Sequence, residues 1–309
     1  MSGRPSRALW LLAGPRARAH LREHGLRAAD VRAVAGAAGG PKGLVLNPLD
    51  RVLLGEWLDG QSRPVHLLGA SIGAWRMACA CRPDAAAALR EMAEDYIEQR
   101  YEHQPGRAPA PTHVSNVFSD ALQRRFGGRE AEVLSHPRRR LHVFTSRGKG
   151  LLARQGRMRT PLGYVGAFAA NLLHRRAMGL MLDRVVFSDM RDALPLTLQE
   201  YPTHRVPLNA QNLAASILAS CSIPFWLDAV HDIAGAPRGA YWDGGITDYH
   251  MHLDYTALHD GLVLIPHFQP TLVPGWLDKP FKHRHRASAR LDNVVLLVPH
   301  PEWVATLPN

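Results

Sequence analysis

The sequence is short of cysteine, of acid and of long apolar runs, and each shortage removes a class of protein. Three cysteines occur among 309 residues: Cys79, Cys81 and Cys221. An odd, low count does not build a disulfide framework. Cys79 and Cys81 stand two apart on a predicted helix, so they point to different sides and read as small buried side chains rather than as metal ligands. No run of about 18 apolar residues is present, which excludes a membrane-spanning helix. Arg4 and Arg7 precede the apolar Ala8-Leu9-Trp10-Leu11-Leu12-Ala13, a faint likeness to a secretory signal. That run is short, and Arg16 and Arg18 fall where a cleavage region is uncharged. The expectation is a cytoplasmic protein, in peripheral contact with a membrane at most.

Acid is scarce relative to base: 27 Asp and Glu against 37 Lys and Arg give a formal net charge of +10. Such a balance favours anionic partners, namely phospholipid headgroups, nucleic acid or acidic substrates. Nucleic acid is not expected, because basic and aromatic residues are not interleaved as in a base-stacking platform. No internal repeat is visible, and no linker is long or polar enough to mark a boundary. With 46% hydrophobic and 21% charged residues, the chain reads as one globular domain over 1–309.

What is present is an alternation of strand and helix signals. Val31–Gly36 reads as a buried strand, followed by a Gly-rich turn at 37–43 and a helix over Leu44–Leu58 with Pro48 in its first turn. The apolar stretch from Val65 reads as a second strand that runs into the Gly69–Gly73 turn, and another helix follows just beyond. This βαβα order predicts a parallel sheet covered by helices on both faces. Further on, helices are predicted over Pro15–Gly25, Asp84–Tyr101, Ser119–Phe126, Gly163–Leu182 and Asn209–Ser220. Strands are predicted over Leu141–Thr145, Arg184–Ser188, Gly261–Pro266 and Asn293–Val298. The basic, Gly-interspersed stretch Gly148–Arg159 reads as a loop or lid. The apolar stripe Val165, Phe168, Leu172, Leu173, Met178, Leu180 and Met181 reads as core-facing, with a helix lying on lipid as the alternative.

Three short motifs carry chemistry. Gly69-Ala70-Ser71-Ile72-Gly73 is a G-x-S-x-G turn between a strand and a helix, the arrangement that exposes a nucleophilic serine. A Cβ at Gly69 or Gly73 would crowd the neighbouring elements, and the turn places the Ser71 hydroxyl near a helix N-terminus. Serine needs a base to become a nucleophile. Among 17 histidines, His267 and His300 suit the chain order of a Ser-acid-His triad. Asp243 is the better candidate, because it follows Ala240-Tyr241-Trp242 and opens the tight turn Asp243-Gly244-Gly245. The stretch Gly36–Gly43 fits neither a Walker A loop nor a dinucleotide fingerprint. It offers free backbone N–H groups at a strand-to-helix turn, suited to an oxyanion, with Lys42 adding positive charge beside it.

In this order the motifs resemble the patatin-like phospholipase family. Its G-G-G-x-[KR]-G loop is matched by Ala38-Gly39-Gly40-Pro41-Lys42-Gly43, its elbow by Gly69 to Gly73, and its Asp-Gly-Gly by Asp243-Gly244-Gly245. Ala219-Ser220-Cys221-Ser222-Ile223-Pro224-Phe225 is similar to the family's stretch upstream of the aspartate. The likeness covers residues 31–248, leaving 249–309 as a C-terminal extension. It implies a three-layer αβα fold with a mainly parallel sheet. It also implies a lipid acyl hydrolase in which Ser71 and Asp243 form a dyad, the Gly39 and Gly40 N–H groups hold the oxyanion, Lys42 meets an anionic headgroup, and neither metal nor organic cofactor is required. The implied partner is a lipid or acyl-ester substrate, and the basic balance of the chain adds the expectation of peripheral contact with an anionic membrane surface. Two other readings stay open: an esterase or thioesterase on soluble acyl substrates, and a non-catalytic protein that binds anionic lipid. The sequence departs from the family at Ala38, where a glycine is usual, and a positive φ there would be strained. A second departure is Asp248 to Asp254, where His250, His252 and Asp254 alternate in a pattern that invites a metal reading. The basic stretch from Lys279 to Arg286 reads as a solvated or lipid-contacting surface.

Overall fold

The computed structural model describes residues 7–307. Arg4 of the signal-like N-terminus lies outside the described residues. The strands are β1 (Leu9–Ala13), β2 (Val31–Gly36), β3 (Val65–Ala70), β4 (Arg139–Gly148), β5 (Leu182–Ser188), β6 (Thr203–Pro207), β7 (Val230–His231), β8 (Ala240–Trp242), β9 (Leu262–Pro266) and β10 (Val294–Pro299). The helices are α1 (Pro15–His24), α2 (Asn47–Gly55), α3 (Ile72–Ala80), α4 (Ala85–Glu98), α5 (Pro111–Phe126), α6 (Glu130–Leu134), α7 (Arg159–Leu173), α8 (Leu213–Cys221), α9 (Gly245–Asp248) and α10 (Pro301–Val304).

The ten strands among the described residues join one sheet, in the order β1-β10-β9-β2-β3-β4-β5-β6, with β7 and β8 off that path. β10, β9, β2, β3 and β4 run parallel, as does the pair β5 and β6; β1 is antiparallel to β10, β5 to β4, and β8 to both β4 and β7. This is the expected mainly parallel sheet with helices on both sides. Strand side chains alternate between the two faces, so the core divides in two. Val34, Leu67, Val143 and Leu264 pack beneath α3, α4, α5 and α8. Ala33, Ala35, Leu68 and Val263 pack on the opposite face against Met251, Tyr255 and Leu291.

The signal-like Leu9–Ala13 forms the edge strand β1. Several element bounds differ from the sequence reading. The stretch Leu44–Leu58 begins as a 3-10 turn over Gly40–Leu46, and α2 starts only at Asn47, which places Pro48 in the first turn where its missing N–H costs nothing. The helix read over Ser119–Phe126 starts earlier, at Pro111, a residue whose fixed φ suits a helix start. The long helix read over Gly163–Leu182 is instead α7, which stops at Leu173. His174 is extended, and a 3-10 turn covers Arg175–Leu180. The core-facing reading of its stripe is corrected as well. Met178 is buried, whereas Val165, Phe168, Leu172, Leu173 and Leu180 are exposed. The side that α7 buries carries Thr160, Gly163, Tyr164, Ala167 and Asn171.

Candidate active site

The site forms where β2 and β3 end side by side, at the carboxyl edge of the parallel sheet, the usual crevice of such folds. The two strands pair with Gly36 opposite Gly69, and α3 passes directly over them. A Cβ on Gly73 would lie 2.0 Å from the Gly36 carbonyl oxygen, so only glycine allows α3 to approach the strand this closely. Gly69 packs in the same way on Ala74, Gly43 on Ile72, Gly244 on the Phe144 carbonyl and Gly245 on Ala38.

Between β3 and α3, Ser71 adopts φ 56° and ψ −132°, a conformation rare outside glycine. Strain of this kind persists only where the surroundings hold it. Here the Ser71 N–H donates to Ser220 Oγ at 2.8 Å, and Ser220 Oγ donates to the Phe144 carbonyl at 2.7 Å. Ser220 stands in the stretch similar to the family's, but as one of several small residues there it carries no mark of this role. Nothing local signals its role, since its partners lie 149 and 76 residues away.

The Ser71 hydroxyl donates to Asp243 Oδ2 at 2.6 Å, with no histidine between them. Asp243 leaves β8 into the tight turn, where the Gly245 N–H donates to its Oδ1 at 2.6 Å. Both side chains are buried, and desolvation pushes the Asp243 carboxyl up to about 7. The hydrogen bonds from Ser71 and Gly245 and the charge of Lys279 pull in the other direction. His267 is buried with Nδ1 against the Gln269 carbonyl, and His300 accepts the Glu302 N–H at the start of α10. Neither takes part in the Ser71–Asp243 bond.

The Gly-rich loop stands on the other side of Ser71. Ala38 is not in the left-handed region, and its N–H donates to the Tyr249 carbonyl at 2.8 Å. The strain that the sequence raised at Ala38 therefore does not arise, and its N–H is already in use. Gly39 and Gly40 carry the positive φ values, 153° and 56°. A Cβ on Gly39 would meet the Phe268 ring at 2.7 Å. Pro41 follows in the first turn of the 3-10 segment, and Lys42 is exposed. Lys279 completes this side, with its ammonium 4.4 Å from the Tyr249 ring centroid and 5.3 Å from that of Trp276. Its pKa is lowered by burial and then by the nearby charge of Lys42. The two ammonium groups thus share one field beside Asp243.

Two cavities meet at Ser71 and share Gly40, Pro41 and Ile223. The larger, about 420 Å³, is walled by Ile72, Tyr96, Val114, Phe118, Trp226 and Leu227. The smaller, about 330 Å³, runs past Asp243 to Lys42, Trp276 and Lys279. One is apolar and the other basic, and the nucleophile-type serine stands at their junction.

The alternation at 250–254 does not converge. His250 pairs with the Val273 N–H and Thr271 carbonyl, and Asp254 with Thr256. Among the described residues, no group of three or more His, Cys, Asp or Glu could hold a metal ion. The three cysteines are free and buried. No helix among the described residues is long and apolar enough to cross a membrane.

The fold and this edge of the sheet define an α/β protein with a strained serine at a strand-to-helix turn. The patatin-like phospholipase family model matches residues 50–250, well over half of the chain, and the chain belongs to that family. Lipid hydrolase activity follows from the membership. The match includes Ser71 and Asp243 and begins after the Gly39-Gly40 loop. No curated protein matches the sequence.

Proposed function

We propose that the protein cleaves carboxylic esters of lipids by acyl transfer through Ser71 and Asp243. The observation that carries this reading is the 2.6 Å hydrogen bond from the Ser71 hydroxyl to the Asp243 carboxylate. Asp243 takes the Ser71 proton as Ser71 Oγ attacks the ester carbonyl. The developing oxyanion accepts from the Gly39 and Gly40 N–H groups, each worth a few kcal/mol in such a role (about 3 kcal/mol). The proton passes to the leaving alcohol as the tetrahedral species collapses to the Ser71 acyl ester. Water, deprotonated by Asp243, then attacks that ester and releases the fatty acid, and Ser71 recovers its proton. The apolar cavity suits an acyl chain. The basic one suits an anionic headgroup, with Lys42 and Lys279 as its cations.

A fluorophosphonate probe tests the reading, since it labels activated serines. Labelling is expected at Ser71 and lost in Ser71→Ala. Asp243→Asn is expected to lower ester turnover by about 10²–10⁴-fold, the usual worth of a general base, with the melting temperature retained. An unlabelled Ser71, or full turnover in Ser71→Ala, would sink the catalytic assignment. Full turnover in Asp243→Asn would return the base to a histidine.

A further inference from the structure

Helix α7 turns its apolar side outward. Leu162, Val165, Phe168, Leu172 and Leu173 are each at least 40% exposed, and Leu173 reaches 84%. No charged residue interrupts the helix between Arg159 and Arg175. An uncovered face of this kind marks a surface that meets an apolar partner.

The face continues to the mouth of the active site. Tyr164, on the inner side of α7, meets the Phe225 ring edge-on at 5.9 Å, and Phe225 and Trp226 are themselves exposed. Trp226 walls the apolar cavity beside Ser71. Phe225 is held at φ 72°, a conformation that bulky residues rarely adopt. On the other flank Phe168 stacks on Phe281 at 6.0 Å, and Arg284 donates to the Asn171 side chain and carbonyl. Trp276, exposed on the rim of the basic cavity, belongs to the same flank.

Charge identifies the partner. Exposed Arg154, Arg157 and Arg159 precede the apolar face, Arg176 follows it, and Lys282 and Arg286 stand in the segment packed beside it. No Asp or Glu occurs between Glu132 and Asp183. Two copies of this face brought together would oppose arginines with no carboxylate in the segment to pair them. An anionic leaflet neutralises the same arginines and takes the apolar side chains into its acyl region.

We propose that α7, with Phe225, Trp226 and Trp276, is the face by which the protein seats on a leaflet containing anionic lipid, with the Ser71 cavities opening toward that leaflet. The lipid-hydrolase reading supplies the reason for the seating; the binding itself is tested without turnover. The full chain carrying Ser71→Ala is sedimented with phosphatidylcholine vesicles and with vesicles that also contain phosphatidylglycerol. Stronger partition to the second set is expected, weakening as salt is raised. Val165→Asp with Leu172→Asp is expected to lower that partition by at least about tenfold, because charges on the apolar face oppose insertion. In the Ser71 chain the same pair is expected to keep the melting temperature and the turnover of a short soluble ester within about twofold, since neither residue lines the cavities. Equal partition to the two vesicle sets, no partition to either, or unchanged partition of the double variant would overturn the proposal. So would a wild-type dimer that the double variant converts to monomer, which assigns the face to a second copy. Loss of soluble-ester turnover in the double variant would overturn it too, by assigning the face to the fold or the active site. A failure of the catalytic reading is separate, since it removes fluorophosphonate labelling and leaves vesicle partition intact.

Discussion

Asp243 sits where a carboxylate is costly to ionise, and in the role proposed for it that cost would make it basic enough to take a proton near neutrality. Burial lifts its carboxyl to about 7, while the bonds from Ser71 and Gly245 and the charge of Lys279 hold it down. A group that takes up a proton must start ionised, so turnover on a soluble ester is expected to rise with pH through the neutral range and to fall away on the acid side. Lys279→Met removes a positive charge that favours the ionised form. The acid limb is then expected to move to higher pH, and to move further at low ionic strength, where the lost charge was less screened. A profile flat through neutrality, or a limb that stays in place in Lys279→Met, would refute this account of the base. The sequence made Ser71 and Asp243 legible because each lies in a short turn whose glycines announce it. Lys279 was hidden in a basic run that reads as solvated surface, and only packing against Tyr249 and Trp276 brings it to the site.

Elements were legible where their signals are local. The strand and helix around Ser71 fall where the pattern puts them, at Val65–Ala70 and Ile72–Ala80. Helix α7 shows what periodicity leaves open: an apolar stripe tells that one face differs from the other, not which face is covered. What fixes α3 was equally invisible. Every residue of α3 is buried, and its single charge, Arg76, forks onto Asp50 of α2 at 2.6 and 2.8 Å. Both side chains are about 1% exposed. Removing one partner of such a pair leaves a buried charge unpaired, which costs about 3–5 kcal/mol. Asp50→Ala is therefore expected to lower the melting temperature by many degrees. Adding Arg76→Met is expected to restore part of the loss, because an apolar side chain of similar length needs no partner. If the double substitution is as unstable as the sum of the two single ones, the pair is not coupled and the helix is held by packing alone.

At the scale of the whole chain, the part of the sequence that follows the matched motifs closes the sheet. Residues 249–309 read from sequence as an extension, yet β9 and β10 from that stretch stand between β1 and β2. β9 pairs directly with β2, the strand that delivers the Gly39-Gly40 loop, and β10 links it to the N-terminal strand. Sheet order of this kind is set by long-range pairing, and two apolar strands late in a chain carry no local mark of where they insert. The same stretch covers one face of the sheet with Met251, Leu253, Tyr255 and Leu258. Deleting everything after Tyr249 would bare the β2 edge and that face together, leaving unpaired backbone groups and exposed apolar side chains. The truncated chain is expected to be insoluble or to lack a cooperative thermal transition, and to give no fluorophosphonate labelling, although Ser71 and Asp243 are both retained. A shortened protein that melts cooperatively and still labels at Ser71 would show that residues 1–249 hold the site by themselves, and that the two inserted strands are not needed to keep the Gly39-Gly40 loop in place.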